Sequence, residues 1–143
     1  MTQQFHKFWL MISAFVVASF APVFFLGTMW ETSEPARFTL DFLSHPIDGV
    51  QNYEAPTTRF LSALTGGFLL GWGVTIWFLR KWVYDKAPNE VRKAVVAGIC
   101  AWFVLDSSGS AASGNVSNVF YNVVVLLLAV GPLWVKAKEP AGV

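Results

Sequence analysis

Ala94-Val95-Val96-Ala97-Gly98-Ile99-Cys100-Ala101-Trp102-Phe103-Val104-Leu105-Asp106-Ser107-Ser108-Gly109-Ser110-Ala111-Ala112-Ser113-Gly114 is the stretch on which the architecture turns. Its first part, Ala94 to Leu105, is apolar but too short to cross hydrocarbon alone, which takes about 20 residues. The rest, from Asp106 to Ser113, is polar and built of small residues. Read as one helix, the stretch is a span whose small and hydroxylated side chains let it pack closely on other helices. Three further stretches are plainer, because residues 8–30, 60–79 and 116–135 contain no Asp, Glu, Lys or Arg. With the third span at 94–114, the chain reads as an all-α, four-helix transmembrane bundle, a single integral membrane domain over residues 1–143.

Composition agrees. The chain is 55% apolar and 13% charged, with a mean hydropathy of +0.50, whereas soluble domains carry about 25% charged residues. These values exclude a disordered chain, a nucleic-acid binder and a disulfide-stapled scaffold. The first span has a longer apolar stretch than the roughly 7–15 residues of a signal-peptide core, and is expected to be retained.

Basic residues supply direction. Lys7, Arg80, Lys81, Lys86, Arg92, Lys93, Lys136 and Lys138 all fall on one side of a four-span chain, against Arg37 and Arg59 on the other. Cytoplasmic segments carry the excess of Lys and Arg, so both termini are expected in the cytoplasm. Three spans would put the tail lysines outside, which also favours the third span. Trp9, Trp77, Trp82, Tyr84 and Trp134 gather at the cytoplasmic boundary, whereas Trp72 and Trp102 fall deeper and are expected between helices.

Helices in lipid associate through close packing and hydrogen bonds. In the second span Ala63, Gly67 and Gly71 recur every fourth residue, and Gly66 and Gly73 form a neighbouring stripe. With the small residues of the third span, this predicts spans two and three as the tight core, packed through Ala63, Gly67 and Gly71.

Asp106 is the one ionisable side chain inside a predicted span, and such residues are functional suspects. Counting from Lys93, it lies about 20 Å up the helix at 1.5 Å per residue, toward the outer side. Arg59 opens the second span and Asn122 lies early in the fourth, both at similar depth. The economical arrangement is an Asp106–Arg59 pair, with Asn122, Asn118 or serines such as Ser107 filling the remaining acceptor positions. That cluster either fixes the register of the bundle or lines an outward-facing pocket for a headgroup, quinone or small polar ligand.

The outer loop, residues 31–58, is long for a small bundle. Ala36 to Ser44 reads as a short amphipathic helix with Phe38 and Phe42 four apart, started by Glu34-Pro35 and stopped by His45-Pro46. It could lid the bundle above Asp106 or dock on a partner; a loop packed on its own helices is the plainer expectation. The lone Cys100 and the two histidines, His6 and His45, both outside the predicted spans, do not compose a metal or haem site. No cofactor or metal is expected.

Pro46-Ile47-Asp48-Gly49, Thr58-Arg59-Phe60-Leu61-Ser62-Ala63-Leu64-Thr65-Gly66-Gly67, Trp102-Phe103-Val104-Leu105-Asp106-Ser107 and the Asn122 helix resemble small bacterial four-helix membrane proteins of the DoxX-like and related families. The resemblance implies a four-helix integral membrane fold in the bacterial inner membrane and an accessory place in membrane redox systems; no catalytic residue carries over. The expected function is a non-catalytic accessory or scaffold subunit of a larger membrane complex. Its partners would be the lipid bilayer and other membrane-protein subunits, with no nucleic acid. The alternative is a lipid-, quinone- or small-ligand-binding protein or carrier with an outward-facing polar pocket. An enzyme of lipid or quinone chemistry has the least support.

Overall fold

The structure, a computed structural model, describes residues 1–138. Helix α1 spans Gln3–Leu26, and Thr2 caps it by accepting from the Phe5 amide at 3.2 Å. A short 3₁₀ turn leads to α2 (Glu34–Ser44), with Pro35 in its first turn. Helix α3 (Pro56–Phe78) runs on through a wide π-helical turn to Val83. Then come α4 (Pro88–Ala112), α5 (Val116–Val130) and a 3₁₀ turn over Gly131–Trp134. Four of these segments, Gln3–Leu26, Pro56–Val83, Pro88–Ala112 and Val116–Trp134, are long and apolar enough to cross a membrane. The described residues are an all-α, four-helix bundle with a fifth, short helix in the first loop.

Span edges move where the sequence offers charge. Helix α1 starts at Gln3 rather than at residue 8, because Lys7 is accommodated on the helix by an ion pair to Asp85 at 2.8 Å. Long basic side chains reach out of the apolar zone in this way. His6, expected outside any span, is therefore one of its buried residues.

The bundle is made of two tight pairs, α1 with α3 and α4 with α5. The expectation that spans two and three form the core is corrected here. Ala63, Gly67 and Gly71 are exposed, and a Cβ added at Gly67 or Gly71 would meet nothing within 4 Å. The neighbouring stripe does the packing: at Gly66 a Cβ would lie 3.1 Å from the Ala21 carbonyl oxygen, and at Gly73 2.8 Å from that of Ala14. Both stripes have helical spacing, and the buried one also carries Ser62 and Ile76. Ser62 Oγ donates to the Phe24 carbonyl at 2.7 Å, reinforcing the α1–α3 pair. Helices α3 and α4 meet through large rings instead, with Trp72 and Trp102 6.4 Å apart between centroids.

At the end that holds the N-terminus, α5 stops at Gly131, whose φ is +39°, followed by Pro132. Proline has no N–H for the carbonyl four residues earlier, here Leu128. Trp9 Nε1 supplies the missing donor at 3.0 Å, and Ser13 Oγ donates to the Ala129 carbonyl at 2.8 Å. Arg92 of α4 donates through Nη1 to the Leu133 carbonyl at 2.9 Å. The first helix and the fourth thus share the task of closing the fifth.

At the opposite end α2 folds back over its own bundle, packed on α1 and α5. Ser117 Oγ donates to the Leu43 carbonyl at 2.7 Å, and the Phe42 and Tyr121 rings lie 4.8 Å apart. The buried Asp41 carboxylate accepts from the Gly49 amide at 3.1 Å, tying the loop behind the helix.

Candidate functional site

Asp106 lies on α4 six positions before its last residue, about 9 Å from the helix end at 1.5 Å per residue. Helix α5 faces it with Asn118 and Asn122, one turn apart and so on one side. Asn122 Nδ2 donates to Asp106 Oδ2 at 2.7 Å and to Ser107 Oγ at 3.2 Å. Asn118 Nδ2 donates to the same Oδ2 at 3.0 Å and to Ser110 Oγ at 2.8 Å. One carboxylate oxygen therefore gathers two amide donors, and two hydroxyls of α4 share them. Asn122 and Ser107 are buried, whereas Asp106, Asn118 and Ser110 are partly open.

The structure thus brings together Asp106, Ser107, Asn118 and Asn122, but not Arg59. Arg59 Nη1 donates to the carbonyls of Tyr53 at 2.8 Å and Glu54 at 2.7 Å. No ion pair among the described residues joins it to Asp106. The physical reason is the pairing of helices: α3 packs on α1, so Arg59 sits apart from α4 and turns to the strand of loop that leads into its own helix. The expected Asp106–Arg59 pair is corrected to an Asp106–Asn118–Asn122 network, with Arg59 a loop anchor. Ser110 was not singled out from the sequence; its place four residues after Asp106 is the signal that marks it.

Among the described residues, no hydrogen bond reaches Asp106 Oδ1. The side chain lines a lateral groove of about 390 Å³ together with Trp102, Leu105, Gly109, Ser110 and Ser113. Leu105 beside it is 78% exposed on the outer surface of α4. The groove thus offers one carboxylate acceptor, flanked by small residues, on a flank that is otherwise apolar. Among the described residues, no three His, Cys, Asp or Glu side chains converge as a metal site would need. Chemically the site can accept a hydrogen bond or a positive charge from something alongside α4.

In comparison with known proteins, no family model matches this chain, and no similar curated protein or solved structure is found.

Proposed function

We propose that this chain is a non-catalytic accessory subunit, of DoxX-like kind, that docks laterally on a larger complex of the bacterial inner membrane. The observation that carries this reading is the open Oδ1 of Asp106 in a groove walled by glycine and serine on the outer flank of α4. Hydrocarbon offers a carboxylate no partner, so ionisable groups within membrane helices pair with protein or line a cavity. Small residues beside it let a second helix come close enough to donate. The exposed Ala63, Gly67 and Gly71 stripe on α3 offers another flank of the same kind. In this reading both termini lie in the cytoplasm, since Lys7, Arg80, Lys81, Lys86, Arg92 and Lys93 mark the end they occupy.

A second reading rests on the groove volume of about 390 Å³, which suits a small ligand. Its carboxylate acceptor suits a quinol hydroxyl or a lipid ammonium, and the Ser110 hydroxyl beside it can donate to a carbonyl.

Asp106→Asn separates docking from a merely structural role. Its amide oxygen can keep accepting from Asn118 and Asn122, while its NH₂ turns the groove-facing acceptor into a donor. Gentle solubilisation should recover the wild-type chain with partner subunits, and Asp106→Asn without them at unchanged helix content. Partner subunits retained by Asp106→Asn, or a solitary wild-type chain carrying a small molecule in the groove, would overturn the accessory-subunit reading.

A further inference from the structure

Helix α2 is short, and its sides differ in kind. Ala36 and Asp41 are buried against the rest of the bundle, and the Arg37 guanidinium is held by the Glu34 carboxylate at 2.8 Å. Phe38 and Phe42, one turn apart and so on one side, are 55% and 41% exposed. Thr39, between them in sequence, donates its hydroxyl to the Pro35 carbonyl at 2.8 Å and asks nothing of its surroundings. In water, two phenylalanine rings left open on one side of a helix would be unfavourable.

Depth decides what that side meets. Ser117, the second residue of α5, donates to the Leu43 carbonyl at 2.7 Å and fixes the end of α2 against α5. The Phe42 ring lies 4.8 Å from that of Tyr121. Tyr121 is five residues past Val116, where a segment long and apolar enough to cross a membrane begins. It therefore sits about 7.5 Å along that segment at 1.5 Å per residue. Phe42 thus packs beside the first turns of α5 rather than above its end. From Tyr121 the apolar surface continues, because the Phe120 ring is 5.8 Å away, edge-on, and 67% exposed. Phe38, Phe42, Tyr121 and Phe120 form one strip that runs from the loop helix onto the flank of α5. Tyrosine belongs at the depth where amphipathic rings gather, between hydrocarbon and headgroups.

We propose that α2 is an interfacial helix, whose Phe38–Phe42 side is occupied by lipid at the headgroup–acyl boundary of the leaflet at this end. Helices of this kind put large apolar side chains into that boundary and keep charged ones toward water. The Glu34–Arg37 pair supplies the polar edge here. Helix α2 is then held from two directions, by Ser117 and Tyr121 of α5 and by the bilayer. The assignment does not depend on how the Asp106 groove is used.

The test places a nitroxide label on Phe38→Cys in the full chain carrying Cys100→Ser, in vesicles of phosphatidylethanolamine and phosphatidylglycerol. Collision of the label with oxygen, which concentrates in hydrocarbon, is compared with collision with a water-soluble nickel chelate. Phe15→Cys, at a position 74% exposed on α1, gives the lipid reference. Glu54→Cys, at an exposed position in the loop before α3, gives the aqueous one. The oxygen-to-nickel ratio at position 38 should be severalfold higher than at position 54 and approach that at position 15. Phe42→Cys should give the same order and serves as the reporter if Phe38→Cys loses helix content. A ratio equal to that at position 54 would put this side in water and overturn the proposal. Little collision with either reagent would mean that protein covers it, which overturns the proposal equally; spin–spin broadening that fades on dilution with unlabelled chain would then identify a second copy.

Discussion

Gly73 of α3 lies so close to Ala14 of α1 that a Cβ at the glycine would sit 2.8 Å from the Ala14 carbonyl oxygen and 2.8 Å from the Ala18 Cβ. Backbone and a short alanine cannot retreat as a flexible side chain would. Gly73→Val should therefore force α1 and α3 apart and cost about 1–3 kcal/mol by overpacking, read from unfolding in mixed micelles. Gly67→Ala and Gly71→Ala meet open space and should leave stability unchanged or raise it by up to about 1 kcal/mol through helix propensity. Equal losses at Gly73 and Gly71 would refute the assignment of faces.

Trp9 should act through its N–H as well as its ring. Trp9→Phe leaves the Leu128 carbonyl, already deprived of an intrahelical donor by Pro132, without a partner. A loss of about 1 kcal/mol is expected in the same unfolding assay, in keeping with hydrogen bonds inside membrane proteins.

Asn122 carries more of the polar network than Asn118, because each makes two hydrogen bonds but Asn122 is only 4% exposed while Asn118 is partly open. Asn122→Val should cost about 1–2 kcal/mol and loosen the α4–α5 pair. Hydrogen exchange of the amides around Ser107 would reveal this as faster opening. The same substitution at Asn118 should have a smaller effect.

Tyr84 is fully buried and its hydroxyl has no partner among the described residues. Tyr84→Phe removes a stranded polar group and should stabilise the fold by about 1 kcal/mol. Burial also pushes the Tyr84 phenol above its ordinary value of 10.0, with the neighbouring Asp85 adding to it. Burial does the same to Tyr53 in the first loop. A folded value raised above the unfolded one means that stability is intact below pH 10 and falls as pH rises through that value toward the folded ones. Denaturation midpoints measured from pH 8 to 11 should drop at the upper end, and Tyr53→Phe and Tyr84→Phe should each lessen the drop.

Apolar runs made the four apolar helices legible, and in the hydroxyl-rich tail after Asp106, which is helix, Ser107 and Ser110 meet Asn122 and Asn118. Rise per residue is constant, so counting along the helices set Asp106 near Asn118 and Asn122, which hydrogen bonds join to it. Azimuth was not legible. Arg59 has the expected height by that count, yet which way it turns depends on whether α3 packs on α1 or α4. Two small-residue stripes of equal spacing on α3 carry no mark of which faces a neighbour. His6 was placed outside the first span for a different reason: Lys7 looked like a boundary, and only the partner Asp85, far along the chain, lets the helix continue past it.

The break at Gly131-Pro132 bears on how the protein is made. Carbonyls released near the end of α5 find their donors on Trp9 and Ser13, near the start of the chain. Of the helices described, the one made first must therefore keep its indole unclaimed until the one made last has been inserted. Assembly closes as a ring does, at a seam between first-made and last-made segments, and a ribosome stalled before Leu128 would leave that seam open to quality-control proteases.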